Sequence, residues 1–369
     1  MIQQEKGMAV PSRNYCLDAL KALAAFCIVL HHLQQDAGVR FHGLNFYGGH
    51  LQFGYIVEFF FIVSGFLVMQ SERRKAERAD GPGLVESFVL RWERIWPMAA
   101  ISILCYIPLC WGYRALTGSW IFGQKQGLWS AVASLLLVYS GWASPSIHGM
   151  NNPTWYLCVL IVCYALFYLG MWLADRLRTK TWPVFLFLTL LGIGARDFHL
   201  ALPFLMESSA RGYASFFLGT LLAQALPYMR LWKKFLPPCV LMVCGSGACL
   251  VADVLIDNQW ALVTFVLYPA LIVVASESKR LNHLLAHPFV SLCGRASYEV
   301  YLWHTPLEVA AALALALLGT PYHATRLSML LSALAIEAFG IAMYQLVERR
   351  VAASVKRAHV QVKAAYSAL

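Results

Sequence analysis

Charge is what this chain has least of. Only 13% of its 369 residues are Asp, Glu, Lys or Arg, where an ordinary soluble domain carries about 25%. Acids are scarcer than bases, 19 against 29. Also missing are an internal repeat, a low-complexity linker and any stretch polar enough to form a soluble domain at either end. There is no phosphate-cradling glycine loop, no Gly-x-Ser-x-Gly elbow and no cluster of metal-ligating residues. The ten cysteines lack paired spacing, and Cys27, Cys105, Cys158, Cys163 and Cys244 sit inside apolar runs, which excludes a disulfide framework or a zinc site. The net charge of +10 is no nucleic-acid signal, because the bases cluster between apolar runs, as anchors beside membrane lipids do.

What is abundant is hydrophobic surface: 59% of residues are apolar and the mean hydropathy is +0.59. The expected fold is therefore an all-α integral membrane protein of about ten helices of about 20 residues. The apolar runs place spans at 15–33, 52–70, 95–111, 154–174, 182–195, 212–226, 236–255, 260–276, 297–318 and 324–347. A further apolar stretch, 128–142, is read as a re-entrant or interfacial helix. Counting it as a span would carry Arg176, Arg178, Lys180, Lys279 and Arg280 to the outer side, against the positive-inside bias. With it excluded, both termini are cytosolic: a tail over 1–14, a membrane domain over 15–350 and a second tail over 351–369. The first apolar run has no clear small-residue cleavage site, so it reads as a retained helix. The outer face is then 34–51 together with about 112–153, a segment rich in tryptophan with Asn151 and Asn152 near its end.

The first helix poses the chemical question. Residues 17–33, "LDALKALAAFCIVLHHL", hold Asp18, Lys21, His31 and His32 in an otherwise apolar segment. A charge at membrane depth costs a few kcal/mol, so this polar stripe must face the bundle or a wet cavity. Lys21 and His32 are eleven residues apart and share a face, about 16 Å apart along the axis. For Lys21, snorkelling to the inner interface is the plainer alternative; for one histidine it is solvation at the helix end. Glu58, inside the second apolar run, is the economical partner for either Lys21 or His32, or else a structural acid. Arg91 and Arg94 project from one face at the inner mouth of the third span, where guanidinium pairs grip phosphates in two places or simply anchor the chain. Gly65 beside Ser64 suits close approach of another helix or of a slender ligand. Tyr298, Tyr301 and His304, followed by Glu308, share one face of the ninth span.

Five stretches together resemble the acyltransferase-3 family of membrane-bound O-acyltransferases. "LDALKALAAFCIVLHH" is similar to its opening helix, in which a basic residue precedes the essential histidine by eleven; that spacing selects His32 over His31. "VEFFFIVSGFLV" (57–68), "RWERIWP" (91–97), "NPTWYL" (152–157) and "SYEVYLWHTPL" (297–307) resemble the later motifs, in order. Two departures stand out. Lys21 occupies the place usually held by arginine, which gives up the planar fork. Leu160 lies where many members have glutamate, so no role can be carried over to that position.

The resemblance implies an inner-membrane enzyme moving an acyl group, most often acetyl, from cytosolic acyl-CoA to a hydroxyl of a carbohydrate, glycolipid or related envelope molecule. Acyl-CoA would be a co-substrate, with no permanently bound cofactor, no metal and no nucleic acid. His32, Glu58 and Lys21 would be catalytic, His32 as base or transient acyl acceptor. Arg91, Arg94, Lys21 and Ser64 would bind the donor, and Asn152, Trp155, Tyr301 and His304 would stand on the acceptor side. A multi-pass transporter or exporter is the alternative reading of the same polar track, and a family member that binds without catalysing is another.

Overall fold

A computed structural model of the protein describes residues 13–39, 45–49, 51–78, 82–123, 125–142, 149–252, 258–320 and 325–367. Of the expected first tail, 1–14, only Arg13 and Asn14 lie within them, and parts of both outer segments fall outside. The described residues are helical throughout, with no strand. In chain order the helices are α1 (Tyr15–Ala37), α2 (Ile56–Arg78), α3 (Leu84–Thr117), α4 (Leu128–Leu135), α5 (Trp155–Arg176), α6 (Trp182–Asp197), α7 (Glu207–Met229) and α8 (Leu236–Val251). They continue with α9 (Gln259–Leu262), α10 (Tyr268–Glu277), α11 (Lys279–Leu284), α12 (Pro288–Leu317), α13 (Arg326–Met343) and α14 (Arg349–Ser367). Five-residue π-helical turns join α9 to α10 (Val263–Leu267) and α13 to α14 (Tyr344–Glu348). The last helix, α14, covers most of the segment 351–369 that was expected as the second tail.

Local chemistry sets the ends of α1. The Asn14 side chain accepts from the Leu17 amide and donates to the Ala275 carbonyl (2.8 and 3.0 Å), while Asn282 Oδ1 accepts from the Tyr15 amide (2.6 Å). The cap therefore also ties α1 to α10 and α11. At the far end Gly38 takes the left-handed conformation (φ 65°) and closes the helix on Gln34.

Ten spans were expected; among the described residues, seven helices are long and apolar enough to cross a membrane. The expected spans 182–195, 212–226 and 236–255 are not among the seven. α6 and α8 have 16 residues each, short of the roughly 20 that a bilayer needs. α7 has the length, 23 residues, but Glu207, Arg211, Gln224 and its serines lower its hydropathy. It tolerates them because most of its surface meets protein: Ser209, Ser215 and Thr220 are fully buried. The stretch at 128–142 forms an eight-residue helix followed by turns, too short to span.

α7 packs between α2 and α6, and α12 packs against α1, α3 and α13. The α2–α7 crossing is set by two glycines facing opposite backbones: a Cβ on Gly65 would overlap the Phe216 carbonyl, and one on Gly219 the Ile62 carbonyl. Gly65 is thus a helix-packing residue. Gly294 of α12 does the same for α1, where a Cβ would strike Asp18. Gly65→Ala is expected to destabilise the protein by about 1–3 kcal/mol through overpacking. Gly247→Ala, on α8 with nothing within 4 Å, should change it by less than about 1 kcal/mol. Thermal unfolding of the two variants in detergent checks the contrast.

Candidate active site

A cavity of about 360 Å³ enters the bundle between α1, α2, α3, α5 and α12. Lys21, Ser64, Arg91 and Arg94, chosen from three separate places in the sequence, all line it, and so does Tyr301. Arg94 and Arg295 are exposed at its mouth. Arg91 is held half-buried: its Nε donates to the Tyr168 hydroxyl (2.9 Å), and Glu72 Oε1 lies 3.8 Å from its Nη2. Lys21 does not snorkel away; its Nζ pairs with Asp18 Oδ1 at 2.8 Å, and Asp18 also pairs with Arg13. The inner wall is apolar and aromatic, with Leu160 on it where an acid was missing, and Ser64 Oγ lies 3.1 Å from the Tyr156 hydroxyl. A strip of cations thus leads to a narrow, mostly apolar interior.

His32 does not line this cavity. Tyr301 closes the inner end, its ring 5.8 Å from that of His304, which stacks on His32 at 5.1 Å and 23°. His304 is fully buried, and its Nδ1 meets the Tyr301 carbonyl at 2.7 Å. A carbonyl only accepts, so the proton sits on Nδ1 and Nε2 carries the lone pair. That Nε2 is buried with no hydrogen-bond partner among the described residues. His32 is half-buried and directs its Nδ1 to Gln35 Oε1 at 3.2 Å, which likewise leaves Nε2 as the basic nitrogen. His31 is engaged differently: its Nδ1 donates to the Phe46 carbonyl (2.7 Å) and holds the loop after α1.

Glu58 partners neither His32 nor Lys21, contrary to expectation. Its carboxylate, fully buried, is gripped in two places by Arg211 (2.6 and 2.9 Å) and accepts from Trp260 Nε1 (2.9 Å). Arg211 also donates to the Gly54 carbonyl and lies over the Trp155 ring, 5.3 Å from its centroid. The reason is geometric: Arg211, on the neighbouring α7, offers a fork that matches a carboxylate, whereas Lys21 has Asp18 one turn away. Arg211 was the overlooked residue. An arginine and a glutamate in separate apolar runs each signal a missing partner, since neither is tolerable unpaired.

The amide that matters beside the Trp motif is Asn151, not Asn152. Pro306 has no amide hydrogen, so the Leu302 carbonyl four residues earlier loses its helical partner. Asn151 Nδ2 (2.9 Å) and Ser102 Oγ (3.1 Å) take that carbonyl, and Asn151 Nδ2 also reaches Ser102 Oγ at 2.7 Å. Asn151 reaches in from a left-handed conformation, φ 52°, which asparagine accommodates. The Asn152 side chain is exposed; its backbone carbonyl accepts from Tyr139, and the next one, of Pro153, accepts from Tyr301.

Glu58→Ala should cost about 3–5 kcal/mol of stability by leaving Arg211 and the Trp260 N–H without their acceptor. The double variant Glu58→Ala, Arg211→Ala should regain part of the loss in the same unfolding measurement.

No curated protein and no solved structure matches the chain. The family model described as an acyltransferase domain, that of acyltransferase-3, matches residues 14–343. That range takes in all of the cavity lining except Tyr344 and Glu348, together with the His32–His304 pair and the Glu58–Arg211 pair. Together with its membrane-length helices, this makes the chain a multi-pass membrane protein that belongs to the acyltransferase-3 family.

Proposed function

We propose that the protein transfers an acyl group, acetyl above all, from coenzyme A to a hydroxyl of a carbohydrate or glycolipid of the cell envelope. The observation that carries this reading is the cavity that unites Lys21, Ser64, Arg91 and Arg94 and ends one ring short of the His32–His304 pair. Cations at the mouth suit the phosphates of a nucleotide, with Arg91 and Arg94 as bidentate donors and Lys21 as a point charge. The apolar interior suits the uncharged pantetheine arm. The membrane is the inner one, with the cavity mouth toward the cytosol, where acyl-CoA is made.

In the transfer, His32 Nε2 takes the proton of the acceptor hydroxyl while its oxygen attacks the thioester carbonyl. The C–O bond forms, the C–S bond breaks, and the departing thiolate takes up the proton, leaving free coenzyme A. The thioester must come past the Tyr301 ring to meet His32. Glu58 acts at a distance, by holding Arg211, Trp155 and the Gly54 backbone beside the histidines, rather than as a proton carrier. Asn152 and Trp155 remain acceptor-side surfaces in this reading. His304 Nε2 is a neighbouring base whose free lone pair faces an acceptor or its water.

Purified protein incubated with radiolabelled acetyl-CoA and extracted envelope glycans should label a glycan fraction. His32→Ala, inserted and folded normally, should lose at least about 100-fold of that labelling, and retained labelling would remove His32 from catalysis. Arg91→Ala with Arg94→Ala should weaken acetyl-CoA binding by about tenfold or more.

A further inference from the structure

Glu348 is out of place in a phosphate-binding mouth. Lys21, Arg91, Arg94 and Arg295 line the cavity as cations, and Glu348 is the acid that lines it with them. Arg94 lies within electrostatic reach of it, yet its Oε2 is buried and has no hydrogen-bond partner among the described residues. A buried carboxylate oxygen without a donor is costly, and a carboxylate repels phosphate, so a phosphate does not account for it. What it lacks is an N–H or O–H donor on a ligand.

The backbone around it is also unusual. Glu348 and Tyr344 are the last and first residues of the π-helical turn between α13 and α14, and both face the cavity. Such turns are rare and recur at functional sites. The Arg295 guanidinium lies over the Tyr344 ring, 5.6 Å from its centroid. One corner of the mouth thus presents an aromatic face, a guanidinium plane and an unsatisfied carboxylate. Flat aromatic bases stack on such surfaces. A base that carries an exocyclic amine supplies the donor that Glu348 lacks.

We infer that Tyr344, Arg295 and Glu348 form a nucleobase subsite, in which the adenine of the donor stacks on Tyr344 and Arg295 and gives its exocyclic amine to Glu348. This rests on the acyl-CoA reading above and adds to it the residues that choose the base. The phosphates then lie on Arg91 and Arg94, and the pantetheine arm runs inward past Ser64.

The test is equilibrium binding of two probes to the full-length protein in detergent: coenzyme A, and its analogue with hypoxanthine in place of adenine. The analogue presents a carbonyl where the amine was. Wild-type protein should bind coenzyme A about tenfold more tightly than the analogue, the worth of one hydrogen bond to a charged acceptor. Glu348→Ala should abolish the preference. Glu348→Gln, nearly isosteric and offering an amide N–H to the carbonyl, should move the preference toward the analogue, a reversal that misfolding cannot produce. Equal binding of the two probes by wild-type protein, or an unchanged preference in both variants, would overturn the subsite while leaving the donor reading intact. Failure of wild-type protein to bind either probe would overturn both.

Discussion

A backbone carbonyl with no helical partner organises the interior of this protein. Pro306 frees the Leu302 carbonyl within a membrane-length helix, where no bulk water is at hand and an unmet polar group is expensive. Asn151 and Ser102 meet it, which draws the segment before α5 and the middle of α3 onto α12. Once that segment is in place, the Pro153 carbonyl receives the Tyr301 hydroxyl, and the Tyr301 carbonyl receives His304. The placing of the segment that holds the aromatic ring at the end of the cavity thus follows from one missing amide hydrogen, while the tautomer of the buried imidazole beyond it is set within α12 by the Tyr301 carbonyl.

A second constraint is electrical. Glu58 and Arg211 would each be prohibitive alone at their depth; together, with Trp260 as a third donor, they form a neutral block linking α2, α7 and α9. Such a block adds little stability over an apolar one. What it adds is position, since a forked ion pair tolerates little displacement. Arg211 carries that position on to Gly54, beside His31, and to Trp155.

Much of this was legible in the sequence because the membrane makes polar residues conspicuous. Lys21 was read as an exception in an apolar run, Arg91 and Arg94 as a pair at the mouth of one and Ser64 as the neighbour of a packing glycine, and the fold gathers all four on one cavity. What could not be read was pairing across helices. Spacing within a segment says that Glu58 needs a partner but not that α7 lies beside α2, so the acid was assigned to the wrong cation. Asn151 and Asn152 are adjacent and identical, and only the left-handed turn decides which of them enters the core. Seven of the expected spans are helices of membrane length and hydropathy; α7 falls below that hydropathy because its polar residues are shielded from lipid by its neighbours. Arg295, Tyr344 and Glu348 left no signal beyond ordinary interfacial composition, because the π-turn that gathers them has no sequence signature.

The glycine contact between α2 and α7 has a bearing on how the molecule can move. With each backbone seated against the other at Gly65 and Gly219, those two helices behave as a single slab, and the wall carrying Ser64 is a fixed reference. In the proposed function, extra room for a bulkier acyl chain then has to come from the other helices that line the cavity, α1, α3, α5 and α12. Of these, α12 is held to α3 and to the segment before α5 by the asparagine that fills in for a missing amide.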